Sequence, residues 1–392
     1  MRGKVLLLGS SFSALPILKY LQKNNFEVTV CGSVMSDPCH NFADNSVFID
    51  YSNVDEVEFE IINNKYDYIV PSSNDASYLT CSKIGEKFAF FGVDSIEVTN
   101  IIHNKEFFRN FCKKHNIISP KSKTISLNNS EEVFLNFPLI VKPTDSFSGK
   151  GITKVSNQLE LTTALSRIRE VSKDDSCVVE EFVEGTLHSH SAFVRNGKIV
   201  KDFFVDEFCT TYQYQVNCSN YPSRLCDKLR NLVKTEISRI IDSLNLVDGL
   251  LHTQFISENE KFWIIESMRR APGDLYGHMI KLSTRFDYTA FYVNPFLGIK
   301  NENFNIESYQ EKPISRHTVS GKEKCYPISL NINIPFKNIE IVNLITSGQL
   351  MNEAPFDKHS ILFCEHDNLN SVFENTVNLS NIIKTNNFIH ES

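Results

Sequence analysis

Several common signatures are missing from this 392-residue sequence, and each absence argues against a class of protein. The ten cysteines include no C-x-x-C pair, which argues against a zinc ribbon or a dithiol redox site. No stretch approaches the roughly 20 apolar residues that a membrane-spanning helix needs. The apolar run Val5–Leu8 near the N-terminus is too short for a signal peptide. The net charge of −7 argues against binding to nucleic-acid backbones. We therefore expect a cytoplasmic protein that binds neither membranes nor nucleic acid.

The composition is that of a folded protein. Hydrophobic residues make up 41% and charged residues 22% of the chain, which are ordinary globular values. The length exceeds that of one typical domain, so two or three packed units are expected.

The first hundred residues alternate between predicted strands and helices. Lys4–Gly9 is a short apolar run, Ser13–Lys23 has apolar residues at helical spacing, and Glu27–Cys31 is β-branched. The same alternation continues to a helix that begins near Asp75. This order predicts that residues 1–100 form a doubly wound parallel α/β domain.

The pattern changes after about residue 98, where strands and helices mix without strict alternation. Helices are predicted at Asn104–His115, Ser130–Leu135, Leu159–Val171 and Ser223–Leu244. One hairpin is predicted around Asn196–Gly197, a strong turn signal, and a second joins Leu250–Ile256 to Phe262–Glu266. Residues 101–300 are therefore predicted to be α+β, with a further small α+β segment at 301–392.

A loop of small residues follows a predicted strand end at Lys142 and includes Ser148, Gly149, Lys150 and Gly151. Small residues let backbone N–H groups approach phosphate oxygens, and a lysine adds positive charge. The order G-x-x-x-x-G-K-S/T of a Walker loop is absent. Taken alone, the segment fits a phosphate-binding loop and an ordinary Ser/Gly hairpin loop equally well.

A second segment, Val178–Gly185, is an apolar strand that ends in acidic residues and a glycine. A strand edge with free backbone groups can bind an adenine edge, and a carboxylate such as that of Glu180 or Glu181 can bind ribose hydroxyls. By itself this segment could also be an ordinary solvated strand end.

A third segment is the second predicted hairpin, which places Gln254 opposite Glu266 so that both could face one metal ion. Mg²⁺ prefers oxygen ligands and commonly takes one or two carboxylates together with substrate phosphates. Arg269 and Arg270 follow, and two arginines before Pro-Gly suit the binding of a carboxylate or phosphate. A surface ion-pair cluster is the alternative.

In this order and spacing the segments resemble the ATP-grasp superfamily, in particular carboxylate–amine ligases similar to carbamoyl-phosphate synthetase and L-amino-acid ligases. The resemblance covers residues 1 to about 300. The matching positions are Lys105, Lys142, Glu180 to Val183, Glu266 and Arg270. The turn Pro71–Asp75 is similar to one in the domain that precedes the ATP-grasp domain in such ligases.

The resemblance implies a two-lobed ATP-grasp fold with a hinge near residues 180–185, and a site for each part of ATP and its metal. It implies that Lys105 and Lys142, together with Ser148 and Gly149 of the loop, bind the phosphates. It implies that adenine and ribose are bound by Glu180, Glu181 and Val183. It assigns Mg²⁺, with Mn²⁺ as the alternative, to Glu266 and Gln254, and catalysis to Arg270 and Lys150.

The implied reaction joins a small-molecule carboxylate to an amine. The carboxylate attacks the γ-phosphate of ATP to give an acyl phosphate, and the amine then displaces phosphate. Arg270 is the candidate for binding the substrate carboxylate. Assembly into a homodimer is left open.

Two positions depart from the family pattern. Gln254 stands where the family has its first metal carboxylate, and Met268 stands at the asparagine of E-x-N. A thioether is a poor ligand for a hard cation, so a second Mg²⁺ is lost, shifted or supported by another residue. His188 and His190 follow the hinge glycine where an acidic residue is often found; contact with ligand is open, and a structural role is favoured.

Three other functions are alternatives to this ligase. Gln254 and Met268 suit a nucleotide-binding protein without ligase turnover. A dinucleotide oxidoreductase is disfavoured because the first turn, Gly9–Ala14, lacks the second and third glycines of G-x-G-x-x-G. A biotin-carboxylase-like carboxylation is the runner-up among enzymes, although nothing indicates a biotin partner.

Overall fold

A computed structural model describes most of the chain. The described residues are 2–127, 133–144, 149, 151–171, 176–301, 310–332 and 339–389. Within them the strands form two four-stranded sheets, one eight-stranded sheet and one two-stranded sheet. No helix in these ranges is both long and apolar enough to cross a membrane.

The N-terminal part is a parallel sheet with helices on both faces. Its elements are β1 (Lys4–Leu8), α1 (Leu15–Lys23), β2 (Glu27–Cys31), β3 (Asn45–Val47), α2 (Val54–Asn64), β4 (Tyr68–Pro71) and α3 (Asp75–Phe88). The strand order is β3-β2-β1-β4, with every neighbouring pair parallel. Leu6 and Leu8 pack with residues of α2 and α3, whereas Val5 and Leu7 pack with residues of α1. The predicted doubly wound parallel α/β fold of this part is confirmed.

Two helices, α4 (Ile96–His103) and α5 (Lys105–His115), lead from this domain into the rest of the chain. Asn104 lies between them and caps α5, because its side chain accepts a hydrogen bond from the N–H of Phe107 at 3.1 Å. The apolar side of α5, including Phe108 and Phe111, packs into the core beneath the largest sheet.

The next part is a small antiparallel sheet that we call the small lobe. Its elements are β5 (Ser122–Ser126), β6 (Leu139–Pro143), β7 (Thr153–Val155), α6 (Gln158–Val171) and β8 (Ser176–Glu181). The strand order is β5-β8-β6-β7, and the apolar face packs on α6. The predicted helix at Ser130–Leu135 lies partly outside the described residues, and its described part, 133–135, is not helical.

The remaining residues build the eight-stranded sheet, which we call the large lobe, and a two-stranded sheet of β15 (Cys325–Asn331) and β18 (Lys384–Ile389). The elements are β9 (Thr186–Arg195), β10 (Lys198–Phe208), β11 (Cys218–Tyr221), α7 (Asp227–Leu244), β12 (Gly249–Glu258), β13 (Lys261–Met268), α8 (Tyr276–Thr284), α9 (Tyr288–Val293), β14 (Ile314–Val319), β15 (Cys325–Asn331), β16 (Ile339–Asn343), β17 (Ser360–Glu365), α10 (Leu369–Ile382) and β18 (Lys384–Ile389). Single turns of 3-10 helix lie at Phe12–Ala14, Pro38–Asn41 and Asn294–Leu297.

The large sheet has the order β13-β12-β9-β10-β11-β14-β17-β16, so strands from the C-terminal segment extend it. Asn196 and Gly197 both have positive φ, at 50° and 72°, which suits the tight turn predicted between β9 and β10. Helix α7 covers one face of the sheet, and the other face packs against the N-terminal domain. The polar residues of the candidate site lie on this second face.

Candidate functional site

A buried charge cluster lies where the small lobe meets α5. Lys142 near the end of β6 donates from Nζ to Oε2 of Glu180 at 2.7 Å, and Arg109 on α5 donates from Nε to Oε1 of Glu180 at 2.6 Å. All three side chains are buried. Burial opposes ionisation of Glu180, but the two cations outweigh it and hold the pKa of this carboxyl at about 2.

Arg109 also joins the small lobe to the large lobe. Its Nη1 and Nη2 donate to the carbonyl oxygens of Ile264 and Ile265 on β13, at 3.2 and 2.7 Å. These carbonyls directly precede Glu266 in the chain. One guanidinium therefore fixes Glu180 of the small lobe relative to the strand that carries Glu266.

The two lobes also meet at two glycines. Gly149 in the loop after β6 has φ of 74°, and a Cβ there would lie 2.7 Å from the carbonyl oxygen of Tyr214 in the large lobe. Gly185 has φ of 140°, and a Cβ there would lie 2.3 Å from the carbonyl oxygen of Ser257. Only glycine allows these close approaches. Ser148 and Lys150 lie outside the described residues.

The other residues predicted to bind nucleotide lie around this cluster. Lys105 is the first residue of α5. Glu181 is the last residue of β8 and is more exposed than Glu180, with Lys121 Nζ 3.7 Å from Oε1. Val183 follows in the connection to β9, where the N–H of Phe182 donates to the carbonyl of Pro138 at 2.9 Å.

The predicted metal residues are direct cross-strand partners, since Gln254 on β12 pairs with Glu266 on β13. Glu266 makes no hydrogen bond or salt bridge within the described residues. Gln254 donates from Nε2 to Oε2 of Glu207 at 2.5 Å. Glu207 lies on β10 and is only 4% exposed; burial raises its pKa, and the nearby Arg316 acts in the opposite direction. Met268, two residues beyond Glu266, is buried.

The C-terminal segment contributes two cations to this face. Arg316 on β14 is 3% exposed and donates from Nη2 to Ser219 Oγ at 2.7 Å, while its Nε has no hydrogen-bond partner among the described residues. Lys358 forms a salt bridge with the buried carboxylate of Asp274. The cation lowers the pKa of Asp274 and outweighs the effect of burial.

The two consecutive arginines after β13 have different surroundings. Arg269 is 1% exposed and donates to Asp94 at 2.6 Å and to the carbonyls of Leu250 and Val247, each at 2.7 Å. Arg270 is more exposed and binds both carboxylate oxygens of Asp75, at 2.9 and 3.0 Å. Both arginines therefore tie the end of β13 to the N-terminal domain.

His188 and His190 lie on the opposite face of the sheet, toward α7. His188 Nδ1 is 2.8 Å from Asp206 Oδ1, and His190 Nε2 is 2.9 Å from Asp202 Oδ2. Both rings are buried. The rings lie on the face of the sheet away from Gln254 and Glu266, which is consistent with the structural role favoured for them.

Acid should destabilise the fold through two other buried histidines. Burial and nearby cations lower the pKa of His252 and of His317 to about 3, from 6.5. The unfolded chain would bind protons on both rings well before the folded chain does, so stability falls as the pH drops from about 6.5 toward 3. At pH 5 the loss is about 2 kcal/mol for each ring. Thermal midpoints of the wild type and of His252→Gln, measured from pH 8 to 5, check this; an equally steep decline in both would contradict it.

Sequence reasoning missed Arg109, Glu207, Arg316 and Lys358. Arg109 lies four residues after Lys105 on one helix, a spacing that could have indicated a shared face. Glu207 lies just beyond the strand predicted at Lys198–Val205, and no sequence pattern marks it. Arg316 and Lys358 lie in a segment without a recognisable motif, and only the extension of the large sheet brings them to the site.

The chain has a parallel α/β domain, followed by a small antiparallel lobe and a larger sheet that meet over a buried lysine–glutamate pair. This arrangement is an ATP-grasp fold. The family model described as "ATP-grasp domain" matches residues 135–276 of the chain. The predicted fold class and the predicted family resemblance are both confirmed.

Similar proteins are found by sequence and by structure. The chain is 23% identical over 309 residues to the formate-dependent phosphoribosylglycinamide formyltransferase of Prochlorococcus marinus strain NATL2A, which covers 76% of this chain and 77% of the relative. An L-amino acid ligase from Bacillus licheniformis matches with a TM-score of 0.80 and 14% identity over 99% of both chains. A Hydrogenobacter thermophilus biotin carboxylase domain, solved with MgADP and bicarbonate, matches with a TM-score of 0.77 and 12% identity, over 98% of this chain and 91% of that one.

Proposed function

We propose that this protein is an ATP-dependent carboxylate–amine ligase that forms an amide or peptide-like bond. The observation that carries the proposal is the buried cluster of Lys142, Glu180 and Arg109, which connects the phosphate loop to the strand bearing Glu266. The similarity in fold to an L-amino acid ligase supports it.

ATP would bind between the two lobes. We assign its phosphates to Lys142, Lys105 and the loop with Ser148 and Gly149. Glu180 is already bound by two cations and is buried, so its role is to hold Lys142 in place. The more exposed Glu181 is the better candidate for a ribose hydroxyl, with the backbone near Val183 for adenine.

A hard divalent cation fits the oxygen donors beside this site. Glu266 has no hydrogen-bond or salt-bridge partner within the described ranges, and Gln254 keeps its amide oxygen available because its nitrogen is bonded to Glu207. We assign Mg²⁺, with Mn²⁺ as the alternative, to Glu266 and Gln254. When bound, the cation would offset negative charge on the transferring phosphoryl group.

The chemistry then proceeds in two displacements. A carboxylate oxygen of the substrate attacks the γ-phosphorus, the bond to the bridging oxygen breaks, and ADP leaves. The amine nitrogen attacks the carbonyl carbon of the acyl phosphate, the carbon–oxygen bond breaks, phosphate leaves, and the nitrogen gives up a proton. The role of the residues is mainly positioning and electrostatic stabilisation of the phosphoryl group. We keep Lys150 as a candidate for stabilising that charge.

Arg270 is the proposed residue for the substrate carboxylate. Asp75 already binds this guanidinium through Nε and Nη2, so the substrate carboxylate would share Arg270 with Asp75. Arg316, with its unpartnered Nε, is a second cation on the same side of the sheet.

Replacing the two adjacent arginines should have contrasting effects. Arg270→Lys should raise KM for the acid by about 10- to 100-fold, because lysine cannot reproduce the guanidinium fork. It should lower the free energy of unfolding by less than Arg269→Lys does, because the ion pair of Arg270 with Asp75 is more exposed. Arg269→Lys should lower the free energy of unfolding by about 3 kcal/mol, because buried bonds to Asp94 and two carbonyls are lost. Steady-state kinetics and chemical denaturation of both variants check this. Equal effects on KM would argue against the role of Arg270.

Incubation with ATP, Mg²⁺ and pools of amino acids and sugar acids tests the proposed function. We expect ADP and phosphate in equal amounts, and a product whose mass equals acid plus amine minus water. If ATP binds but no pair yields ADP, the ligase proposal is wrong. A nucleotide-binding protein without turnover, which Gln254 and Met268 favour, would then be the better function.

Three further points belong to the proposal. All ten cysteines are free thiols, which supports a cytoplasmic location.

Light scattering would test a homodimer, since the biotin carboxylase domain of similar fold was solved as a dimer. Limited proteolysis would test the division into residues 1–100, 101–300 and 301–392.

A further inference from the structure

A cavity of about 330 Å³ lies at the end of β9 that is remote from the hinge. Its wall includes Phe193–Arg195, the last residues of β9, whereas the hinge glycine Gly185 directly precedes the first residue of this strand. A strand of ten residues spans roughly 30 Å. The cavity is therefore separate from the site proposed for ATP.

Three separate parts of the chain form this cavity. Gly92 comes from the N-terminal domain, Val247–Gly249 lead into β12 of the large sheet, and Pro295 lies in the last turn of 3-10 helix. A Cβ at Gly92 would lie 2.6 Å from the backbone nitrogen of Phe296, so the N-terminal domain packs tightly on this turn. An occupant that fills the cavity would therefore contact all three parts.

Apolar side chains supply much of the wall of the cavity, among them Phe193, Val200, Phe291 and Ile299. An apolar cavity of about 150 Å³ accepts a benzene ring, so roughly twice that volume suits a ring with a short chain. Binding pockets of this kind usually add a few polar groups that fix the orientation of the ligand.

The charged residues that line the cavity are Arg195, Lys300 and Asp248. Arg195 donates from Nη1 to the carbonyl oxygen of Asn301 at 2.6 Å, and Asp248 Oδ1 accepts the N–H of Asn196 at 2.7 Å. Within the described part of the chain, neither Arg195 nor Lys300 forms a salt bridge. Two such cations against one acid leave a net positive charge, which favours an acid over an amine as the ligand.

We propose that this cavity binds a small carboxylic acid whose apolar body has the size of a phenyl ring with a short chain. The carboxylate is bound by Arg195 and Lys300, and the apolar body packs against Phe193 and Phe291. This binding site is distinct from the sites proposed for ATP and for the acid substrate, and it does not depend on ligase activity.

The cavity also touches the contacts that fasten the N-terminal domain to the end of β13. The carbonyl oxygen of Val247, on the cavity wall, accepts a hydrogen bond from Arg269 Nη2 at 2.7 Å, and the N–H of Val247 donates to Asp94 Oδ1 at 3.0 Å. A ligand that binds only the folded protein stabilises it by mass action. We therefore expect the thermal midpoint to rise with the concentration of the ligand.

Isothermal titration calorimetry with hydrocinnamate, a phenyl ring on a short carboxylate chain, tests the proposal. A ligand of about 11 non-hydrogen atoms should bind with a Kd on the order of 0.1–1 mM. Phenethylamine has the opposite charge and propionate lacks the ring, so each should bind at least about 10-fold more weakly.

Val200→Phe, which fills the cavity, should weaken the binding of hydrocinnamate by at least about 10-fold. Lys300→Gln, which removes an exposed charge, should weaken it by about threefold. Lys198→Gln is the matched control, because Lys198 is an exposed lysine of the β9–β10 hairpin that does not line the cavity. Arg270→Lys should also bind normally, because the proposed acid site is elsewhere.

The proposal is wrong if the wild type does not bind hydrocinnamate at about 10 mM, if phenethylamine binds as tightly, or if Val200→Phe binds like the wild type. Loss of binding in Arg270→Lys, or displacement of hydrocinnamate by an ATP analogue, would mean that the acid binds in the catalytic site and would also overturn it. If Val200→Phe does not fold, as judged by circular dichroism, Ile299→Phe takes its place. Because these experiments measure no turnover, a failure of the ligase proposal would leave their result unchanged.

Discussion

Replacing Lys142 with methionine is expected to lower kcat/KM for ATP by about 100- to 1000-fold, which corresponds to about 3–4 kcal/mol of lost transition-state stabilisation. The physical reason is the position of Nζ, which is buried at the strand end where the phosphate loop begins and is oriented by Glu180 at 2.7 Å. Methionine keeps most of the apolar stem, so the loss would come from the charge. Isothermal titration with ATP and initial-rate kinetics measure the effect.

The same variant should unfold at a somewhat lower temperature, because Glu180 would keep only Arg109 as its buried partner. Lys87→Met is a suitable control, since Lys87 is an exposed lysine paired with Glu58 in the N-terminal domain. Near-normal activity of Lys142→Met, with ATP affinity unchanged, would show that the phosphate site has been assigned to the wrong residues.

Replacing Glu266 with alanine is expected to abolish Mg²⁺-dependent phosphate release, with kcat reduced by about 1000-fold. Glu266 carries a carboxylate that no described side chain binds, and it lies next to the carbonyls that Arg109 fixes. In the absence of metal, the Glu266→Ala variant should bind ATP nearly as well as the wild type. The substitution should cost little stability, because no described residue forms a hydrogen bond with this carboxylate.

Glu260→Ala provides the matched control on the same hairpin, because Glu260 is exposed and forms only a salt bridge with Lys228. The dependence of initial rate on Mg²⁺ concentration separates the two variants. The metal assignment would be contradicted if Glu266→Ala reached the wild-type kcat and did so at the same Mg²⁺ concentration as the wild type.

The parts of the site that the sequence could predict are those whose geometry is local. Alternation along two hairpin strands is enough to place Gln254 opposite Glu266, and the structure has this pair in direct register. The order of the lysine, the acidic hinge and the hairpin likewise predicted the ATP-grasp fold. The predicted helix Asn104–His115 differs by one residue from helix α5, because Asn104 is the cap that precedes the helix.

The parts that could not be predicted depend on contacts between distant segments. Arg109 and Glu180 are 71 residues apart, and Arg270 and Asp75 are 195 apart, so no local pattern relates them. No local pattern marks Glu207, because its hydrogen-bond partner Gln254 lies two strands away in the large sheet. Arg316 reaches the site only because β14 extends the large sheet through β11.

The paired salt bridges of Arg269 with Asp94 and Arg270 with Asp75 have a consequence for motion. They fasten the N-terminal domain to the end of β13 at two adjacent points, one of them fully buried. We therefore expect the N-terminal domain and the end of β13 to move as one rigid body. The wall that would receive the acid should keep its shape throughout a catalytic cycle, because two adjacent arginines hold it to the N-terminal domain.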